Sequence, residues 1–216
     1  NIIRYNIGGG DDPTHHHITR TDSMVPGYAI NPSHDANGYH WSYDWNADQN
    51  QRNVLMKVAE CYGKDLIVEG FSNSPPYFMT NSGCSSGSVN AGENNLREDA
   101  YGAFASYLAD VAQHFSKEWG IHFQSMTAMN EPDTEYWHVL SDKQEGCHFD
   151  PGESQSVMII ALREALDERG LNDILISGTD ETGIDCQINS INSLSDVARE
   201  TIARIDTHSY LEGNNE

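Results

Sequence analysis

Glu131 stands in "SMTAMNEPDTEYW" (residues 125–137), where a short apolar run reaches Met129 and is broken by Asn130-Glu131-Pro132. Proline lacks the N–H that a paired strand must donate, so Pro132 turns the chain away directly after the carboxylate. A carboxyl whose apolar or anionic neighbours keep it protonated can act as a general acid and protonate a leaving oxygen. Asn130 beside it can hydrogen-bond a sugar hydroxyl. The competing reading is that Glu131 only caps the next helix. Asp180 and Glu181 also follow a short apolar run, and either pair with Glu131 or cap the helix after them. In "DTHSY" (206–210) His208 and Tyr210 alternate, which in extended chain sends both to one side. There they can orient a carboxylate or form a buried rim pair. Trp41, Tyr43, Trp45, Tyr77, Phe78, Tyr136, Trp137 and Tyr210 are flat rings that match the CH faces of sugars or pack loops onto a core. The run His15–His17 suggests a metal, but three adjacent side chains do not readily face one ion and no second ligand group follows at a fixed spacing. No metal and no cofactor is expected, and one of these histidines lining a cleft is the better reading.

The elements that must position these groups are short apolar strands and longer amphipathic helices. Ile2–Ile7, Leu66–Phe71, Phe123–Met129, Ile174–Ile176 and the segment opening at Ile205 read as strands. Between them, residues 48–62 place Val54, Leu55, Val58, Ala59 and Tyr62 on one helical face. Residues 98–117 do so with Tyr101, Phe104, Leu108, Val111 and Phe115. A third helix carries Val157, Ile160, Ala161, Glu164 and Leu166, and residues 195–204 read as a fourth, short one. Gly63, Gly120 and Gly170 fall where helices should stop. Strands alternating with helices predict a parallel sheet with right-handed crossovers, and the nearly continuous apolar strands fit a sheet covered on both faces. "GGGDD" after the first strand is not the glycine pattern of a dinucleotide site. Every strand ends in a polar cluster while the helix-to-strand joints do not, the asymmetry of an α/β (β/α)8 barrel with its site on the C-terminal face. Only five strands are found, where a barrel needs eight and about 250 residues. The chain therefore reads as part of a longer barrel, its aromatic-rich loops 11–47 and 72–96 forming cleft walls.

Twelve Lys and Arg against 33 Asp and Glu leave a formal charge of −21 on 216 residues. Such a surface repels phosphate backbones and excludes nucleic acid as an expected partner. No run approaches the roughly 18 apolar residues of a membrane span. Cys61, Cys84, Cys147 and Cys186 show no CxxC spacing, and their pairing is open from sequence.

Taken together, "RYNIGGGD" (4–11), "FSNSPPYFMTNSGCSSG" (71–87), "NNLRED" (94–99), "MNEP" (129–132), "QEGCHF" (144–149) and "DTHSY" (206–210) resemble glycoside hydrolase family 30 of the clan A barrels. "SNSPP" with "QEGC" resembles its endo-β-1,6-galactanase branch; other branches usually carry Trp where this chain has Asn73. The resemblance implies a retaining glycosidase acting on β-1,6-linked galactan of arabinogalactan side chains, with residues 1–216 forming one partial catalytic barrel domain of about strands 2 to 6. It implies Glu131 as acid/base and a nucleophilic Glu about 5–5.5 Å away at the end of strand seven, beyond residue 216, so that this segment alone should be inactive. Asn130 is implied as the partner on the sugar's 2-hydroxyl side and Tyr210 as a contact to the nucleophile. Ser74, Trp137, Glu145, His208, Asp11 and Trp45 are further substrate-binding candidates. A secreted or periplasmic, monomeric enzyme acting on an oligo- or polysaccharide is expected, and secretion makes a Cys84–Cys147 disulfide the expected pairing. The alternatives are another β-glycan activity of the family (exo-galactobiohydrolase, glucanase or fucosidase-like), a non-catalytic carbohydrate-binding remnant, or an inverting enzyme pairing Glu131 with Asp180 or Glu181.

Overall fold

The computed structural model describes residues 1–12, 14 and 25–210. In chain order these form β1 (Ile2–Asn6), a hairpin of β2 (Ala29–Asp35) and β3 (Gly38–Tyr43), α1 (Gln49–Tyr62), β4 (Ile67–Phe71), α2 (Tyr101–Trp119), β5 (Ser125–Met126), α3 (Glu153–Glu168), β6 (Leu175–Ser177), α4 (Ile184–Ser193), α5 (Asp196–Thr201) and β7 (Ile202–Arg204). Five of the strands make one sheet in the order β1-β4-β5-β6-β7, every neighbouring pair parallel. Strands consecutive along the chain are neighbours in the sheet and the order never reverses. A doubly wound sheet reverses at its switch point; a sheet wound one way is a sector of a (β/α)8 barrel.

The helices follow from apolar periodicity and from where it stops. α2 is the central one, with Phe104, Leu108, Val111 and Phe115 buried as their spacing predicts, together with Ala105, Tyr107, Ala109 and Ala112. It ends at Gly120, whose φ of 67° lets its N–H turn back to the Phe115 carbonyl. Gly63 and Gly170 follow α1 and α3 at φ 53° and 72°, positive values that glycine adopts without a Cβ penalty. On α3 the buried face differs from the expected one: Met158, Ile159, Leu162, Ala165 and Leu166 face inward, while Val157 is exposed.

Three elements depart from the sequence reading. The supposed loop 11–47 contains the β2–β3 hairpin, closed by Ala36-Asn37 with Gly38 opening β3 at φ 107° and kinked by a bulge between Ile30 and Ser33. Residues 195–204 are not one helix, because the backbone turns extended at Ile202 and Ile202–Arg204 pair with β6 as β7. α4 is an additional helix, and its apolar Ile184, Ile188 and Ile191 recur at the i, i+4, i+7 spacing of a helical face.

A buried polar network holds the top of β1. The Tyr5 hydroxyl donates to Asp48 and shares a 2.6 Å hydrogen bond with Tyr28. Tyr107 on α2 donates its hydroxyl to the Gly8 carbonyl at 2.7 Å and accepts from the Tyr28 N–H at 3.1 Å. The Tyr107 hydroxyl thus satisfies the Gly8 carbonyl of the turn after β1, while Tyr5 and Tyr28 satisfy each other and Asp48. That turn is packed so closely that a Cβ on Gly9 would come within 2.4 Å of the Pro75 carbonyl oxygen.

Candidate active site

The strands end on a common face, and the polar residues that follow β5, β6 and β7 meet there. After β5 the chain runs to Glu131, whose backbone is left-handed at φ 49° and whose N–H donates to the Asp180 carbonyl oxygen at 2.8 Å. Asp180, after β6, is left-handed as well at φ 55°. The Glu131 carboxyl is buried, with Tyr136 donating its hydroxyl to Oε2 and His208 Nδ1 lying 3.5 Å from Oε1. The same imidazole presents Nε2 to Asp180 Oδ1 at 3.5 Å. Both contacts are ion pairs at a distance too long for strong hydrogen bonds. Asp180, and less strongly Glu131, raise the His208 imidazole above its ordinary value against the opposing effect of burial, which favours the cation between two carboxylates.

Behind this pair lies a second layer of charge inside the sheet. Arg4, on β1, reaches Asp180 Oδ2 through Nη2 and Glu69 Oε1 through Nε, both at 2.6 Å. Its guanidinium also lies over the Phe71 ring, 4.1 Å from the centroid. Glu69, on β4, is fully buried and receives Arg204 at 3.2 Å and the Ser125 hydroxyl at 3.2 Å on Oε2. Burial, with Asp206 alongside, raises the Glu69 carboxyl even so. Asp180 is therefore committed to Arg4, which makes it a poor general base for an inverting pair with Glu131. Glu181 points the other way. It accepts from Gln155 (3.1 Å), the Ser190 hydroxyl (2.6 Å) and the Asp133 N–H (3.1 Å), and burial pushes it up to about 7. It ties α3 and α4 to the loop carrying Glu131.

The sequence-predicted residues divide clearly. Asn130, Glu131, His208 and Tyr210 come together: Asn130 is almost buried beside Glu131, and the Tyr210 ring lies 4.9 Å from that of His208, on the same side as the alternation predicts. Asp11 is partly exposed after β1, and its charge is felt by the buried Glu145 and Cys84. The other four lie apart from this cluster or are buried beneath it. Trp137 is 5 % exposed and donates Nε1 to the Glu131 carbonyl at 3.0 Å, so it supports Glu131 from behind. Ser74 is fully buried and turns its hydroxyl to the Pro75 carbonyl at 3.0 Å. Glu145 is buried under the turn after β1, with Oε1 taking the Gly9 N–H at 3.0 Å. Burial drives its carboxyl well above the usual range. Trp45 stacks on His114 at 3.7 Å, in the half of α2 nearest the strands' N-terminal ends, away from Glu131.

The expected Cys84–Cys147 bridge is not formed either. Cys147 is a buried thiol whose Sγ lies 3.6 Å from the His148 carbonyl, and burial raises both thiols. His15–His17 lie outside the described residues. Arg4 is no site candidate from sequence, and Tyr136 enters there only as one ring of the aromatic set, not as a partner of Glu131. A charge within the apolar run of β1 is a usable signal for the first; Tyr136 reaches Glu131 only through the path of its loop.

That loop depends on one close contact. A Cβ placed on Gly146 would lie 2.1 Å from Cδ2 of Trp137. Gly146→Ala is expected to lower stability by about 1–3 kcal/mol, because the added methyl must displace the indole that holds the Glu131 carbonyl. Urea unfolding checks this. An unchanged midpoint would mean that the loop yields freely.

The sequence profile of O-Glycosyl hydrolase family 30 matches residues 2–197. The chain belongs to this family. It is 37% identical over 223 residues to an endo-β-1,6-galactanase of Hypocrea rufa, with 99% of this chain and 44% of that protein aligned. It is 25% identical over 285 residues to an exo-β-1,6-galactobiohydrolase of Bifidobacterium longum subsp. longum, covering 99% of this chain and 18% of that protein. Among solved structures, the catalytic domain of the family 30 xylanase C from Talaromyces cellulolyticus superposes with a TM-score of 0.72 at 21% identity, over 97% of this chain and 44% of that one. The family 30 chain thus spans less than half the length of these relatives, and its sheet is a sector of the family barrel.

Proposed function

We propose that the full-length protein carrying this chain is a retaining endo-glycosidase that cleaves β-1,6-linked galactan, with Glu131 as general acid/base. The observation that carries the reading is the buried Glu131 carboxyl at a strand's C-terminal end, held by Tyr136 and His208, in a chain 37% identical to an endo-β-1,6-galactanase. In this mechanism Glu131 gives its proton to the glycosidic oxygen as the bond to the anomeric carbon breaks and a second carboxylate attacks that carbon. The Glu131 carboxylate then takes a proton from the water that displaces the enzyme. Asp180 is held by Arg4, so the second carboxylate is assigned to the remainder of the full-length barrel. An apolar groove of about 270 Å³ lined by Ile184, Ile188, Ile191 and Ile205 supports that assignment, since it lies beside β7, at the open edge where further barrel elements would pack. A polymeric substrate cannot cross a bilayer, which favours an exported protein. No helix among the described residues is long and apolar enough to span a membrane.

The test is to incubate the full-length protein, taken from both culture medium and cell extract, with de-arabinosylated β-1,6-galactan, and to follow products and their anomeric form by NMR. Expected are early mixtures of short galacto-oligosaccharides in the β form, with most activity in the medium. Galactobiose alone would favour the exo activity carried by the Bifidobacterium relative. The α anomer appearing first would overturn the retaining mechanism.

A further inference from the structure

We propose that Tyr136 is a positioning residue for the Glu131 acid/base, its phenol bound to Oε2 so that the carboxylate left after proton donation is already hydrogen-bonded. The proposal rests on Glu131 acting as the acid. Two adjacent side chains hold two different parts of one residue: Trp137 donates Nε1 to the Glu131 carbonyl at 3.0 Å, and Tyr136 donates its hydroxyl to the Glu131 carboxylate. Their rings pack edge to face at 4.5 Å and 62°, so the phenol is fixed against an indole that is itself anchored to Glu131. Thr134 adds a hydroxyl to the same carbonyl at 3.0 Å. The chain after Pro132 doubles back to bring these donors in. Trp137 is buried while Tyr136 is 47 % exposed, which places the phenol at the wall of the cleft.

The chemistry follows from the donor count. A phenol donates strongly to a carboxylate and weakly to a neutral acid, so the contact favours the charged form. When Glu131 passes its proton to the glycosidic oxygen, the electron pair of the breaking O–H bond stays on the carboxylate, and Tyr136 stabilises that anion. Burial, then Glu131 itself, raise the Tyr136 hydroxyl, which keeps it a donor throughout the range in which a carboxyl titrates. The other groups facing this pair are His208 on Oε1, Asp180 behind His208, Arg4 behind Asp180, and Tyr210 beside the phenol. Tyr136→Phe leaves all of them in place and preserves the ring packing.

The experiment compares kcat/KM of the full-length parent, Tyr136→Phe and Glu131→Gln on β-1,6-galactan and on an aryl galactoside whose acidic phenol leaves without a proton. Tyr136→Phe is expected to lose about tenfold on the polymer and to stay near the parental value on the aryl galactoside, because the phenol acts only where a proton is given up. An equal loss on both substrates, which a purely structural role would produce, or no loss on the polymer overturns the proposal. Glu131→Gln separates the two ideas. If it keeps the parental kcat/KM on the polymer, the acid/base assignment fails and Tyr136 falls with it. If it loses turnover on the polymer alone while Tyr136→Phe does not, only the role of Tyr136 fails.

Discussion

Glu131→Gln is expected to lower kcat/KM of the full-length enzyme on β-1,6-galactan by about 10³-fold. The amide fills the space of the carboxyl and can still accept the Tyr136 hydroxyl through its oxygen, so the change removes the proton with little disturbance of the packing around Trp137. Glutamine has no proton to give to a sugar alkoxide, and galactose is a poor leaving group without one. An aryl galactoside with an acidic phenol needs no such help. For that substrate the first half-reaction should proceed at near the parental rate, while the second stalls for want of a base and a burst of phenol precedes a slow steady state. Azide, a nucleophile that needs no deprotonation, should restore turnover and leave a β-galactosyl azide if the enzyme retains configuration. Steady-state kinetics on both substrates, with and without azide, measure all of this. Less than a tenfold loss on the polymer would mean that another group supplies the proton.

Arg4→Met is expected to destabilise the protein by about 3–5 kcal/mol. The guanidinium sits between two buried carboxylates at 2.6 Å from each, and neither has water to fall back on. Among the described residues, Glu69 keeps Arg204 at 3.2 Å, and Asp180 keeps the more distant His208. Methionine matches much of the stem and its contact with Phe71, so the loss is one of charge compensation more than of packing. The sign with pH follows from the carboxylates. Burial already raises the Glu69 carboxyl to about 7 although Arg4 lowers it, and without Arg4 it is raised further. The deficit is then largest at alkaline pH and narrows as pH falls and Glu69 takes up a proton in the folded variant. Urea unfolding at pH 5 and pH 8 reads both the size and the slope. A loss below about 1 kcal/mol at pH 8 would mean that solvent already screens the pair.

The parallel sheet was legible because its strands are short apolar runs closed by polar clusters, a pattern that survives without knowledge of the loops. Glu131 was legible as the carboxylate between an apolar run and Pro132, although β5 itself ends at Met126 and the chain runs on past it to reach Glu131. His208 and Tyr210 could be read from alternation alone. What could not be read depends on how loops fold back. Trp137 and Glu145 have the residue types of a sugar subsite, yet both are consumed inside the loop, one by the Glu131 carbonyl and the other by the Gly9 N–H. The β2–β3 hairpin hid behind Pro32, which argues against a strand until the bulge that accommodates it is seen. Trp45 was misplaced because that hairpin carries it onto α2. Arg4 was visible as a charge in an apolar strand, but its two partners come from different strands and no local pattern connects them.

Glu131 and Asp180 share a backbone conformation that glycine occupies far more readily than a glutamate does. Holding non-glycine residues there costs on the order of 1–3 kcal/mol each, so the Glu131 carboxylate occupies a spot where the chain is working against its own preference. Only the surroundings keep it there: the amide-to-carbonyl link between the two residues, the indole behind, the histidine in front. In the proposed mechanism, placement of the acid is therefore more fragile than the fold. Substitutions that merely loosen those surroundings should let the two residues relax to easier angles, and the proposed activity would be lost while the sheet still stood.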